Sequence, residues 1–384
     1  MDFQESEEQT MLRKAVAAIA ARYGHRYWVD KARAGEKTTE LWDDLASQGF
    51  LGVNLPEEHG GGGLGLTELA LVCEELAAAG TPLLLLVVSP AIAGTLIAKH
   101  GSDSQKKEWL PGLAAGGRRI CFALTEPGAG SNSHQITTTA RREGDDWVLR
   151  GDKTYISGVD ESDAMLVVAR TGTDERTGRA QISLFLADTK SAGLSATPIP
   201  MEIVSAERQF TVFFDDVRVP QSRLLGGEGR GLRLLFEGLN PERIISAAYS
   251  VGLARYAIDK ACAYAKERAV WGAPIGSHQG LAHPLARAKL QLELAALMTA
   301  KACWLQDHGK DAGEAANMAR LSAADAAIAA VDIAIQVHGG NGLATEYGLA
   351  TMWGMARLQH IAPISREMIL NFVGQHSLGL PKSY

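Results

Sequence analysis

The chain has 384 residues, enough for two or three domains, each with its own core. Its 38 Lys and Arg against 44 Asp and Glu leave a net charge of −6, and no basic tail or stripe is present to release counterions from a phosphate backbone, which argues against nucleic acid as a partner. Hydrophobic residues at 46% and charged residues at 21% exclude a disordered chain, and the 41 glycines follow no collagen-like period.

Residues 1–120 predict an α-helical domain. Apolar residues return at three- and four-residue spacing over Glu7 to Tyr23, Leu41 to Gly49, Leu66 to Ala79 and Ser104 to Leu113. The acidic amphipathic start lacks the apolar run of a signal peptide and the Arg/Ser bias of a transit peptide. Cys73, Cys121, Cys262 and Cys303 are too far apart for a CxxC pair, so a reducing, cytoplasmic setting without a metal site is expected. The glycines of His59 to Leu66 follow no β-branched strand, and the segment is expected to be a loop rather than a dinucleotide fingerprint. Leu76 to Ala98 carries no charge, yet Gly80, Pro82, Pro90 and Gly94 would free backbone groups in lipid. Two buried helical pieces joined by a turn are expected there, not a membrane span.

From 121 to 225 the pattern changes to short strands, at Trp147 to Arg150, Ala164 to Arg170, Gln181 to Ala187 and Gln209 to Phe214. Gly144-Asp145, Gly151-Asp152 and Thr171-Gly172 read as turns between them. Strand following strand predicts a β-barrel or sandwich. The glycine cluster Gly226 to Gly231 closes this domain and lacks the Lys-Ser/Thr of a phosphate loop. Residues 226–384 predict a four-helix bundle, with long helices over Glu242 to Ala269, Pro284 to Asp307 and Gly313 to Val337. The overall class is therefore α+β in three domains.

Within the β domain, Phe122-Ala-Leu-Thr-Glu-Pro-Gly-Ala-Gly-Ser131 resembles the flavin-binding signature of the acyl-CoA dehydrogenases. Gly151-Asp-Lys-Thr-Tyr-Ile-Ser-Gly158 resembles that family's G-x-K-x-W-I-T/S-N/G strand, with Tyr155 in place of the more usual Trp. Leu55-Pro-Glu-Glu-His-Gly-Gly61 and Ala98-Lys-His-Gly-Ser-Asp-Ser-Gln-Lys-Lys107 resemble pieces of its N-terminal domain. Arg268-Ala-Val-Trp-Gly-Ala-Pro-Ile275, followed by His278-Gln279, is similar to its R-x-x-F-G-x-P-I/L stretch, and Gln336-Val-His-Gly-Gly-Asn-Gly342 to its Q-x-x-G-G-x-G.

The resemblance implies FAD as cofactor, bound by Phe122, Leu124, Thr125, Gly130, Ser131, Tyr155 and Ser157 near the flavin. It implies Arg268, Trp271, His278, Gln279, Gln336, Gly339, Gly340 and Ser365 along the rest of the cofactor, with Arg268 acting on a neighbouring subunit. A homodimer or homotetramer follows. Ser131 and Arg243 would also meet the acyl-CoA substrate.

The implied reaction is α,β-desaturation of an acyl-CoA, with electrons passed to an electron-transfer flavoprotein. An oxygen-using relative and a partner subunit of a mixed complex are the alternatives. A carboxylate must remove the α-proton, and in many members of the family it stands in a C-terminal Y-E-G-T; here Pro363 occupies that place and offers no backbone N–H either. Isovaleryl-CoA and long-chain members put the base at the start of the first C-terminal helix, which by resemblance is Glu242, followed by Arg243. Leu83 to Leu96, with small Ala91, Ala93 and Gly94, is the candidate wall of an acyl pocket.

Overall fold

The computed structural model describes residues 4–173, 178 and 180–382. The N-terminal helices are α1 (Glu7–Ala34), α2 (Thr39–Ser47), α3 (Leu66–Ala78), α4 (Thr95–His100) and α5 (Asp103–Ala114). Ser6 with Gln9, and Ser102 with Gln105, form reciprocal capping boxes that fix where α1 and α5 begin. The expected end of α1 at Tyr23 marks a real break, since Gly24 is non-helical with φ of 69° before the helix resumes. The glycines after His59 form a loop. Gly62 and Gly63 donate to the carbonyls of Gly52 and Leu55, and a Cβ on Gly61 would stand 2.2 Å from the Leu55 carbonyl oxygen.

The uncharged segment is two helical pieces, as expected. α3 ends at Ala78, Gly80 turns the chain with φ of 80°, and a π-helical stretch over Val87–Gly94 runs into α4. Among the described residues no helix is long and apolar enough to cross a membrane.

The middle of the chain forms one eight-stranded sheet: β1 (Ile120–Ala123), β2 (Thr139–Glu143), β3 (Asp146–Ser157), β4 (Ala164–Thr173), β5 (Ala180–Asp188), β6 (Leu194–Ile199), β7 (Gln209–Pro220) and β8 (Leu224–Leu225). Their order is β6-β7-β3-β2-β4-β5-β8, with β1 parallel to β4. Side chains alternate along β4. Met165 and Val167 join Cys121, Phe185, Val212 and Phe214 in a core that the sheet curls around, while Leu166 and Val168 pack with Ile92 and Leu96 of the helical segment.

Sequence patterning misses β1, β2, β6 and β8. β6 is largely exposed, contains Pro198 and pairs only with β7, so it shows no apolar alternation. Two expected turns are corrected. Gly151 lies inside β3 at a bulge with φ of 140°, where a Cβ would meet Thr138, and Gly172 lies inside β4 beside a register shift.

The C-terminal domain comprises α6 (Gly231–Glu267), a short hairpin of β9 (Ala269–Val270) and β10 (Ala273–Pro274), then α7 (Gln279–Asp307), α8 (Gly313–His338), α9 (Ala350–Leu358) and α10 (Arg366–Phe372). α6, α7 and α8 form three long rods, and the two short helices α9 and α10 take the fourth position against α8. Buried alanines at 315, 316, 319, 323, 326, 327, 330 and 334 line α8, letting it pack closely on its neighbours. Glu242 does not start a helix. α6 begins at Gly231, about three turns earlier, and continues through Pro241, so the helix N-terminus is too far away to favour the Glu242 charge.

Candidate active site

The two β-domain motifs are fastened to each other. β1 delivers the Phe122–Ser131 loop, and Thr154 of β3 donates its N–H to the Thr125 carbonyl at 2.9 Å. Lys153, fully buried, donates to the Leu124 carbonyl at 3.0 Å and to Glu126 Oε1 at 2.8 Å. Glu126 also accepts from the Thr137 N–H and hydroxyl and from the Thr138 N–H.

Burial opposes both charges of this pair, but with different outcomes. Burial would raise the Glu126 pKa, yet Lys153 and the threonine donors bring it down to about 2. For Lys153, burial outweighs the Glu126 attraction and the ammonium falls to about 8. The donor count decides in favour of the charged pair, because the carboxylate is satisfied on both oxygens.

With the loop so held, Phe122, Leu124 and Thr125 are half-buried, while Gly130 and Ser131 are exposed. Tyr155 follows on the same strand with φ of 56° and is 59% exposed, so β3 spends backbone strain to stand this ring out from the sheet. Ser157 is two residues on, and its hydroxyl donates to Gln209 Oε1 at 3.0 Å. Gln209 is a partner that the sequence did not single out.

A second group gathers at the far end of the C-terminal domain. Arg268 ends α6 exposed, with no acidic partner among the described residues, and Trp271 stands at the tip of the β9–β10 hairpin, 91% exposed at φ of 52° with His278 against its edge. Gln279 opens α7, also exposed. Tyr264 and His338 stack at 4.2 Å and Asn341 donates to Tyr264, which brings the exposed Gln336, Gly339 and Gly340 close to the end of α6. Within the chain no hydrogen bond joins this group to the β-domain motifs among the described residues. Ser365 caps α10, accepting from the Met368 N–H at 3.3 Å.

Glu242 lies one turn after Gly238, the point on α6 where a Cβ would meet Leu96 at 2.9 Å and Ile92 at 3.4 Å. Its side chain is half-buried, and burial pushes its pKa up to about 7 against the opposing pull of Arg243 and Arg320. No described residue donates a hydrogen bond to it. Arg243, itself lowered by burial, donates to Asn240 Oδ1 at 3.1 Å. Pro363 is exposed, and the fully buried Arg320 was not foreseen. The small residues in the expected pocket wall serve packing: a Cβ on Gly94 would meet Leu55 at 2.9 Å, and Ala91 and Ala93 are fully buried.

These features meet three family models, the acyl-CoA dehydrogenase N-terminal domain over residues 6–117, the middle domain over 121–217 and the C-terminal domain over 229–378. The chain belongs to the acyl-CoA dehydrogenase family. It is 60% identical to acyl-CoA dehydrogenase FadE12 of Mycobacterium tuberculosis over 384 residues, which cover 100% of this chain and 99% of that one. Butyryl-CoA dehydrogenase from Megasphaera elsdenii superposes with a TM-score of 0.93 at 28% identity, over 98% of this chain and 100% of that one. An FAD complex of PigA gives 0.92 at 27% identity, over 99% and 100%. As an acyl-CoA dehydrogenase, the chain is an oxidoreductase of the class acting on CH–CH groups, in a flavoprotein family.

Proposed function

We propose that this acyl-CoA dehydrogenase desaturates an acyl-CoA thioester at its α,β-bond with FAD as cofactor, Glu242 as the α-proton base and an electron-transfer flavoprotein as acceptor. The observation that carries this reading is the Glu242 carboxyl, half-buried on α6 without a hydrogen-bond donor among the described residues, with its pKa pushed up to about 7 by burial. A base tuned to the working pH combines a useful ionised fraction with a strong pull on the proton.

The residues present fit the cofactor. Gly130 has open space where a Cβ would lie, Ser131 is exposed, Tyr155 is held outward, and Arg268 presents an unpaired guanidinium fork suited to a pyrophosphate. A tryptophan as exposed as Trp271 calls for a covering surface, which supports placing Arg268, Trp271, His278, Gln279, Gln336, Gly339 and Gly340 on the cofactor of a neighbouring subunit. Bound FAD would supply the acceptor for the β-hydrogen, taken as hydride. The chain's own part is to orient the acyl group between the β domain and α6, to exclude water there, and to receive the α-proton on the Glu242 carboxylate. Arg243, the next residue after the base on α6, supports Ser131 in binding the thioester substrate. All four cysteines are free, in keeping with a reducing, cytoplasmic setting.

Glu242→Gln keeps size and polarity and cannot take the proton. The variant is expected to stay yellow, bind acyl-CoA and reduce its flavin about 10² to 10⁴-fold more slowly in anaerobic stopped flow. Reduction within a few-fold of the parent rate would reassign the base.

A further inference from the structure

Ser157 and Gln209 are direct cross-strand partners at the end of the β3–β7 ladder, and beside them Ile156 is paired with Phe210. Ile156 and Phe210 are buried in the core that the sheet curls around, so the pleat turns Ser157 and Gln209 to the opposite face. There the Ser157 hydroxyl donates to Gln209 Oε1 at 3.0 Å. Neither side chain has another hydrogen-bond partner among the described residues.

Gln209 is held from both sides. Its strand runs between β3 and β6, where Ile199 is the residue opposite. Next to it the Gly158 N–H donates to the Arg208 carbonyl at 2.9 Å, while Arg208 Nε donates to Asp160 Oδ2 at 3.2 Å and the guanidinium lies 5.5 Å over the Phe210 ring. The amide therefore reaches Ser157 from a backbone whose register is fixed on both edges.

A hydroxyl has one proton to give. With that proton on Gln209, Ser157 offers only oxygen lone pairs to a molecule lying on this face of the sheet. Ser157 belongs to the strand expected at the flavin, and the inference rests on that placement. The ring nitrogen at the reactive edge of an oxidised flavin is a hydrogen-bond acceptor; two electrons and a proton form a new N–H bond there and make it a donor. An acceptor aimed at that edge opposes the first state and suits the second.

We propose that Gln209 is a positioning residue for the flavin site: by taking the Ser157 proton it keeps the hydroxyl turned as an acceptor, which favours the reduced cofactor and raises its potential. Gln209 acts through Ser157, so its effect exists only while that hydroxyl is present.

The test is an anaerobic, dye-coupled equilibrium titration of the holoenzyme without substrate, which reads the flavin potential independently of turnover. Gln209→Met removes the amide but keeps the length of the side chain, and Gln209→Ala removes both. Each releases the Ser157 proton to turn outward and is expected to shift the equilibrium about ten-fold toward oxidised flavin, a potential about 30 mV lower for a two-electron couple. In a Ser157→Ala background the same substitutions are expected to shift it by under about two-fold. A purely structural Gln209 would give equal shifts with and without the hydroxyl, or a shift in Gln209→Ala and none in Gln209→Met, and either result overturns the proposal. Unchanged potentials in both Gln209 variants, with Ser157→Ala alone moving the potential, leave Ser157 at the flavin and remove only this inference. An unchanged potential and flavin spectrum in Ser157→Ala show that the hydroxyl does not face the cofactor, and the placement falls together with the inference.

Discussion

Lys153 and Glu126 form a buried ion pair, 2.8 Å long, that bolts the Phe122–Ser131 loop to β3. Each residue sits inside a different one of the two β-domain motifs, so the pair is the joint between the part of the loop expected to bind the flavin and the strand expected to cover it.

Removing one partner strands the other. Glu126→Ala leaves the Lys153 ammonium without a counter-charge and leaves the Thr137 and Thr138 donors unused. Loss of one member of a buried pair costs about 3–5 kcal/mol. Glu126→Ala is expected to show this loss in urea unfolding and to release FAD on dilution, with Glu126→Gln milder in both. Flavin retention equal to the parent in Glu126→Ala would show that the loop holds its shape without the pair.

Glu207 gives the opposite electrostatic situation. It is 4% exposed, accepts from the Leu85 N–H at 3.3 Å, and burial, with Glu161 adding to it, raises its pKa to about 7. In the unfolded chain the group ionises near 4.5, so between about pH 4.5 and 7 the folded state holds more protons and stability falls as pH rises, levelling off above 7. The difference amounts to about 3 kcal/mol at the plateau. Glu207→Gln should therefore raise the melting temperature at pH 8 and do little at pH 4.5. Equal shifts at the two pH values would show that Glu207 ionises freely in the folded protein.

Arg268 caps the helix that carries Glu242, 26 positions further on, which at the rise of an α-helix is about 39 Å. Arg268→Ala is expected to lower FAD occupancy and loosen the oligomer while leaving the pH limb set by Glu242 unchanged in the flavin that remains. Sedimentation and flavin absorbance under dilution read the first effect; full occupancy with an unaltered oligomer would place Arg268 away from the cofactor.

The motifs were legible in the sequence because each is a continuous run of residues with a distinctive order, although Gly151 within one of them reads as a turn and instead forms a bulge in β3. The uncharged run from Leu76 was legible for the same reason, through Gly80 and Pro90. The beginning of α6 was hidden by Pro241, which resembles a helix start but here sits inside the helix. β2 and β6 were hidden because exposed strands need no apolar alternation. Arg320 left a signal that went unused: it falls between Ala316, Ala319 and Ala323 on an apolar face of α8, where a charged residue must be buried. Glu207 left none, since its burial depends on β-domain chain folding against Leu85.

The alanine face of α8 limits how this protein can change. A methyl is the smallest side chain that still favours a helix, so replacement by glycine weakens the helix by about 1 kcal/mol and replacement by anything larger pushes α6 and α8 apart. Neither direction is free. Glu242 rides on α6, so the placement of the candidate base depends on a row of methyl groups on the helix packed against it, and drift along this seam would first appear as altered acid–base behaviour rather than as a misfolded protein.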